Sequence, residues 1–181
     1  MGIQSKGWPL AAVALLGLSA CGGGGGNASG VSCRSLAALV DGPNTDINCT
    51  GTCAVDRAGA AADGNSGSAA RLRMEGTAAG SVAVSARASG GGTFAAGTVV
   101  GVIYEVGESN QDVVTFQLNT YLAGVAQDSF TLRTDARESF ATPAERASNT
   151  ATRPYDTVEF KYMRGSGSSS GSAGVYEFCS D

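Results

Sequence analysis

Histidine is absent from this 181-residue chain, and that absence removes several kinds of chemistry at once. Ser-His-Asp and Cys-His catalytic sites need an imidazole, and so do the common histidine-based metal sites. Positive charge is also scarce, because the net charge is −4 and the only lysines are Lys6 and Lys161. A nucleic-acid-binding face requires clustered cations, so the composition argues against nucleic acid as a partner.

Tryptophan and long apolar runs are scarce as well. The single tryptophan is Trp8, which leaves tyrosine and phenylalanine as the main aromatic residues for a sugar-binding surface. Tyr155 follows Pro154 and is the tyrosine whose position best suits exposure, although packing over the edge of the fold is the favoured interpretation. The apolar run at residues 9–20 is shorter than the roughly 20 residues that a membrane-spanning helix needs. With Lys6 ahead of it, the run is typical of a secretory signal segment.

The tetrapeptide Leu18-Ser19-Ala20-Cys21 ends this run and is followed by a series of glycines. An ordinary signal-peptidase site needs a small side chain where Leu18 stands. The tetrapeptide resembles the lipobox of bacterial lipoproteins, which implies cleavage after Ala20 and acylation of Cys21 by chains such as palmitate. Gly22 after the cysteine resembles lipoproteins that are sorted to the outer membrane of Gram-negative bacteria. We therefore expect a lipid-anchored protein at the bacterial outer membrane or cell surface.

This interpretation divides the chain into three parts. Residues 1–20 form the signal peptide, residues 21–30 the lipidated cysteine and a Gly-rich tether, and residues 31–181 the folded domain. A flexible coil of nine residues spans roughly 15 to 18 Å. The domain is therefore expected to work close to the membrane surface.

Four cysteines remain when Cys21 is reserved for the lipid. An oxidising periplasm or cell surface would pair them, in one of three connectivities. We predict a disulfide between Cys49 and Cys53, which lie within local reach in C-T-G-T-C, and a second between Cys33 and Cys179, which would join the first structured segment to the last strand. A four-cysteine zinc site is the alternative, but these spacings fit zinc-ribbon sites poorly.

Short strands separated by turns dominate the sequence from residue 69 onward. Alternation of apolar and polar residues is clearest at 81–88 and 157–163, and the apolar, β-branched run at 99–106 is typical of a central strand. Two further alternating segments flank Ala123-Gly124 and predict a hairpin. We therefore expect an all-β fold, an antiparallel β-sandwich of the jelly-roll kind. The two hairpin segments are 113–122 and 126–133. The remaining predicted strands are 69–74 and 175–179.

Four segments lie outside this pattern. Residues 34–40 predict a short helix that stops at Asp41-Gly42-Pro43-Asn44. Residues 49–67 are expected to form a long loop, and 139–148 a loop with a helical turn after Pro143. The Ser- and Gly-rich stretch at 165–174 is predicted to be a loop too polar to pack.

Several short motifs follow one another in a recognisable order. They are C-T-G-T-C-A-V-D, A-A-A-D-G-N at 60–65, F-A-A-G-T at 94–98 with G-V-I-Y-E after it, T-Y-L-A-G-V at 120–125 and R-P-Y-D-T-V at 153–158. Their order resembles that in a group of bacterial cell-surface β-sandwich domains. The A-x-D-G-N element is similar to the first loop of discoidin-like, galactose-binding-like jelly rolls, in which that loop often helps to hold a structural calcium.

A calcium site would draw on Asp63 and Asn65, with Glu177 from the last strand, because calcium prefers hard oxygen ligands. The alternative is that Asp63-Gly64-Asn65 is simply a turn, in which both polar side chains bond to nearby backbone groups. We favour the turn, so no cofactor is expected.

The function that these features indicate is binding without catalysis. The leading hypothesis is a membrane-anchored adhesion or ligand-binding module whose partner is a carbohydrate or an envelope protein. A structural lipoprotein that binds another envelope protein is the alternative. A hydrolase that uses carboxylates ranks last, because nothing in the spacing of acids such as Glu105 and Glu108 requires a catalytic pair.

Overall fold

The computed structural model describes residues 39–109, 114–135, 144–166 and 170–180. The predicted signal peptide, the tether and Cys21 lie outside these ranges. The described residues form ten strands, all paired in antiparallel fashion. The strands are β1 (Leu39–Thr50), β2 (Cys53–Asp56), β3 (Ala70–Met74), β4 (Gly80–Ala88), β5 (Val99–Ser109), β6 (Val114–Leu122), β7 (Val125–Asp135), β8 (Glu145–Thr150), β9 (Thr157–Arg164) and β10 (Gly171–Ser180).

The strands make two five-stranded sheets that enclose one core. The first sheet has the order β1-β4-β9-β6-β7 and the second the order β2-β3-β10-β5-β8. The predicted all-β, antiparallel sandwich is therefore confirmed. Apart from short 3-10 turns, the described chain contains no helix, and hence none with the length and hydropathy of a membrane span.

Aromatic side chains from both sheets fill the middle of the sandwich. The ring of Tyr104 on β5 lies 5.3 Å from that of Phe160 on β9 and 5.9 Å from that of Phe116 on β6. Phe116 also stacks on Tyr162 at 5.1 Å. All four side chains are buried. The alternate positions of Phe160 and Tyr162 explain why the period-two pattern of β9 could be read from the sequence.

The hairpin predicted about Ala123-Gly124 is confirmed. The strands β6 and β7 pair directly and are joined by these two residues, whose φ angles are 49° and 79°. Two positive φ values in a two-residue loop match the turn whose twist suits a β-hairpin.

The amino-terminal predictions need correction. Residues 39 and 40, predicted to end a helix, belong to β1, and residues 34–38 lie outside the described chain. The strand pairs only with β4, and its register shifts between Val40 and Thr45. In the sequence, Gly42-Pro43 is typical of the end of a helix. An edge strand with such an irregularity tolerates this pair.

The predicted loop at 49–67 is also partly wrong. It contains β2, which pairs with β3, and a 3-10 turn at Ala58–Ala61. The strand has only four residues, whose burial alternates between half-buried and exposed. So short an edge strand carries little periodic signal.

Two later segments are strands where loops were expected. The segment Glu145–Thr150 forms the edge strand β8, paired with β5, whereas residues 139–143 are not described. The segment 171–174, predicted to be too polar to pack, opens β10 and pairs with both β3 and β5. Small side chains in this stretch let two neighbouring strands approach, so it is buried in spite of its composition.

A disulfide joins the edges of the two sheets. It connects Cys49 on β1 to Cys53 on β2, with the Cα atoms 6.0 Å apart, as predicted from the C-T-G-T-C spacing. Cys179, buried on β10, is also disulfide-bonded. Its predicted partner, Cys33, lies outside the described residues, so that pairing stays a prediction.

A buried arginine makes a second link between the sheets. Arg164, at the end of β9, is only 4% exposed. Its guanidinium donates to the backbone oxygens of Met74, Glu75 and Ala78 at 3.4, 3.0 and 3.0 Å. These oxygens belong to the end of β3 and to the segment that leads into β4. The side chain of Arg164 therefore holds in place the connection between the two sheets.

Candidate functional site

A groove of about 490 Å³ lies on the outer face of the first sheet. This volume is in the range of pockets that bind small molecules. The lining comes from four neighbouring strands, from the β6–β7 turn and from the residue before β9. We call it the outer groove; its residues are Asn48, Ser85, Arg87, Tyr121, Ala123, Gly124, Asp156, Thr157 and Glu159.

A row of polar residues that face one another across the strands runs into the outer groove, whose floor is made by two of them, Ser85 and Glu159. Ser85 on β4 pairs with Glu159 on β9, which pairs with Asn119 on β6, which in turn pairs with Ser129 on β7. Their apolar neighbours along each strand point into the core, so these side chains must point outward. Ser85, Asn119 and Glu159 are nevertheless buried.

Hydrogen bonds hold Glu159 in place. Its Oε1 accepts from the side-chain amide of Asn119 at 3.0 Å and from the phenol of Tyr121 at 2.9 Å. The Oδ1 of Asn119 accepts from the hydroxyl of Ser129 at 2.7 Å, which fixes which way the amide points. The carboxylate is thus positioned by two side chains of the neighbouring strand β6, one of which is itself held by Ser129 on β7.

A second cross-strand row lies beside the first. Arg87 on β4 pairs with Thr157 on β9, which pairs with Tyr121 on β6. Burial and the hydrogen bond to Glu159 raise the pKa of Tyr121 to about 12. The phenol therefore stays protonated at neutral pH and acts as a donor to the carboxylate.

The hairpin turn forms the end wall of the outer groove. The backbone N–H of Ala123 donates to Oδ2 of Asp156 at 2.8 Å, and the hydroxyl of Thr157 donates to Oδ1 of the same residue at 2.8 Å. Asp156 thus fastens the tip of the hairpin to the start of β9.

The predicted calcium ligands lie in two settings. Oδ1 of Asp63 accepts from the backbone N–H of Asn65 at 2.8 Å, and Oδ2 accepts from the hydroxyl of Ser68 at 2.6 Å. Oδ1 of Asn65 accepts from the N–H of Gly67 at 3.0 Å, as in the turn interpretation. Glu177 is buried on β10. These contacts do not test calcium binding, which stays the untested alternative to the favoured turn.

Two other residues considered from the sequence have structural surroundings. Tyr155 is fully buried and its ring stacks on that of Phe94 at 4.9 Å, so packing, not exposure, describes it. Glu105 on the second sheet forms an ion pair with Arg71 and accepts from the phenol of Tyr176 at 2.6 Å. Within the described ranges, no three His, Cys, Asp or Glu side chains come together as a metal-holding group.

The outer groove itself was missed in the sequence. The alternation at 81–88 and 157–163 places Ser85, Arg87, Thr157 and Glu159 on the more polar faces of their strands and indicates nothing further about them. The sequence does show that each of these strands has a polar outer face, and the groove forms where such faces lie side by side in the sheet. Because the sequence does not give the order of the strands, it does not show which polar faces lie side by side.

Comparison with known proteins finds distant structural likeness. No protein family matches the sequence, and no curated protein matches it either. The enzymatically active domain of tailspike protein 4 from bacteriophage CBA120 aligns with a TM-score of 0.47 and 10% identity, over 76% of this chain and 19% of that one. The present chain thus spans about a fifth of that tailspike chain.

Two carbohydrate-binding modules align over nearly their whole length. The family 32 module of Clostridium perfringens NanJ, solved with galactose, has a TM-score of 0.37 and 14% identity, over 78% of this chain and 96% of that one. Chitosan-binding module 2 of a chitosanase/glucanase from Paenibacillus sp., solved with chitotriose, has a TM-score of 0.40 and 13% identity, over 80% and 98%. Because these scores and identities are low, we infer nothing about function from the likeness.

Proposed function

We propose that this protein is a lipid-anchored bacterial surface protein whose β-sandwich binds carbohydrate in the outer groove without catalysing a reaction. The observation that carries the proposal is the groove itself. A pocket of about 490 Å³ is lined by amide, hydroxyl, guanidinium and carboxylate groups. It offers both donors and acceptors to one ligand.

The mixture of groups suits a ligand rich in hydroxyls. A sugar hydroxyl both donates and accepts, and the groove provides acceptors at Glu159 and donors at Arg87 and Asn48. Tyr121 adds an aromatic ring beside these polar groups, an amphipathic combination that favours the apolar faces of sugars. Of the large apolar side chains described, only Val125 is exposed, at 64%. This favours a polar ligand over an envelope protein that docks through an apolar patch.

Binding without catalysis is favoured by the contacts of the two carboxylates in the groove. Glycoside hydrolysis needs one carboxyl group to protonate the leaving oxygen and a second to act as a base or nucleophile. Oδ2 of Asp156 accepts the hydrogen bond that fastens the hairpin, Oδ1 accepts from Thr157, and Oε1 of Glu159 accepts two more. These hydrogen bonds give both carboxylates a structural role in the groove.

Carbohydrate binding is tested with the full-length protein, purified from membranes in detergent, on a glycan array. We expect a defined set of glycans to bind, and Arg87→Ala to weaken that binding by about tenfold, which corresponds to about 1.4 kcal/mol. Arg73→Ala is the matched control, because Arg73 is an exposed arginine on the second sheet that pairs with Asp56. Absence of binding to every glycan, or equal binding by the Arg87 variant, would contradict the proposal.

The lipid anchor is tested by replacing Cys21 with serine in a Gram-negative host. We expect the native chain to incorporate labelled palmitate and to partition into the detergent phase, and Cys21→Ser to lose both properties. Several acyl chains are needed for stable attachment, since one chain alone binds membranes only marginally. Ser29→Ala in the tether should behave as the native chain does. Palmitate labelling that survives in Cys21→Ser would refute the anchor.

A further inference from the structure

One atom in the outer groove stands out for its position. Glu159 is only 8% exposed, and its Oε1 is the oxygen that accepts from Asn119 and Tyr121. Its Oε2 has no hydrogen-bond partner in the described part of the chain, and the residue lines the groove. The floor of the groove therefore presents one fixed acceptor on a carboxylate that is otherwise surrounded by protein.

Such an acceptor distinguishes between ligands by their charge. A hydroxyl can donate to Oε2, and a hydrogen bond to a charged acceptor is stronger than one between neutral groups. A carboxylate at the same place has no proton to donate at neutral pH. It would also meet a like charge at close range, which opposes binding.

The other charged groups near the groove leave this discrimination in place. Asp156 and Glu159 bring two negative charges to the lining, and Arg87, an exposed side chain, brings one positive charge. Lys161 follows Glu159 by two residues on the same face of β9 but is not part of the lining. At the floor itself, the charge is that of Glu159.

We propose that Glu159 makes the outer groove selective for neutral pyranoses, which donate a hydroxyl to its Oε2, over uronic acids of the same configuration. This inference rests on the proposed carbohydrate-binding function and assigns the chemical class of its ligand. Glu159 acts as the residue that determines specificity, and Asn119 and Tyr121 act by positioning it.

The test is isothermal titration calorimetry of the full-length protein in detergent. The probes are the methyl glycosides of glucose and galactose and of the matching glucuronic and galacturonic acids. We expect at least one neutral glycoside to bind, and its uronate to bind about tenfold more weakly or worse. The discrimination should shrink when salt is raised, as expected for a charge effect at a partly open site.

Variants assign the discrimination to one residue. Glu159→Gln keeps the size of the side chain and removes its charge, so the ratio of the two affinities should fall to about twofold or less. Glu145→Gln is the control, because Glu145 is an exposed acid on the edge strand of the other sheet. Folding of the variant is checked by circular dichroism, and the raised pKa of Tyr121 should fall only in part, because burial, its larger cause, remains when the adjacent charge is removed. That shift is read from phenolate absorbance.

Each outcome has a distinct meaning. If none of the neutral or acidic glycosides binds and the glycan array is also negative, both the proposed function and this inference fail. If the uronate binds as tightly as the neutral sugar, or more tightly, only the selectivity is refuted. If the native protein discriminates but Glu159→Gln does so equally, the assignment to Glu159 is wrong. The comparison on the native protein is decisive even if Glu159→Gln does not fold.

Discussion

Replacing Arg164 with leucine is expected to lower the free energy of unfolding by about 3 to 5 kcal/mol. The guanidinium donates to three backbone oxygens between the end of β3 and the start of β4. A buried acceptor that loses its partner costs about 1 to 3 kcal/mol, and leucine supplies no donor. The loss should therefore exceed that of an ordinary surface substitution several times over.

Urea denaturation, followed by tyrosine fluorescence, measures this effect. Arg73→Leu is the matched control, because Arg73 is an exposed arginine whose ion pair with Asp56 lies at the surface. Such pairs contribute about 0 to 1 kcal/mol. If Arg164→Leu costs no more than the control, the role assigned to Arg164 as a link between the sheets is wrong.

Replacing Gly80 with alanine is expected to cost about 2 to 3 kcal/mol, the range found when a well-packed site is overfilled. A Cβ atom at Gly80 would lie 2.4 Å from the backbone oxygen of Thr50 and 2.7 Å from Cε of Met74. The methionine side chain can move, but the oxygen belongs to the end of β1, next to the disulfide. The backbone there would have to shift.

The control for this substitution is Gly165→Ala. Among the described residues, leaving out its two chain neighbours, a Cβ atom at Gly165 would meet no heavy atom within 4 Å, and its φ lies outside the left-handed region. Alanine there should change stability by no more than about 0.5 kcal/mol. Thermal unfolding followed by circular dichroism compares the two variants. If Gly80→Ala and Gly165→Ala have equal melting temperatures, the prediction is wrong. β1 and β4 can then move apart at Gly80 without a loss of stability.

The strands that could be predicted are those whose two faces differ. On β9, Val158, Phe160 and Tyr162 pack in the core, and the alternate positions point outward. On β8 the only core contact comes from Ala147, which is half-buried. Since one small side chain gives almost no period-two contrast, this edge strand looks like a loop in the sequence.

The outer groove was beyond prediction for a different reason. Its residues look like an ordinary solvent-facing surface on each strand taken alone, because serine, threonine and glutamate are typical of such faces. What makes Glu159 special is the presence of Asn119 and Tyr121 on the neighbouring strand, some forty residues earlier in the chain. Local periodicity contains no information on which strands become neighbours.

The disulfide between Cys49 and Cys53 has a mechanical consequence. A pull applied at Leu39 reaches the sandwich through β1, whose only strand partner in the sheet is β4. Cys49 lies near the far end of β1, and the covalent bond ties it to β2 in the other sheet. Peeling that begins at Leu39 would therefore stop at the disulfide, where the load passes to the second sheet, and the rest of the domain would keep its shape under tension.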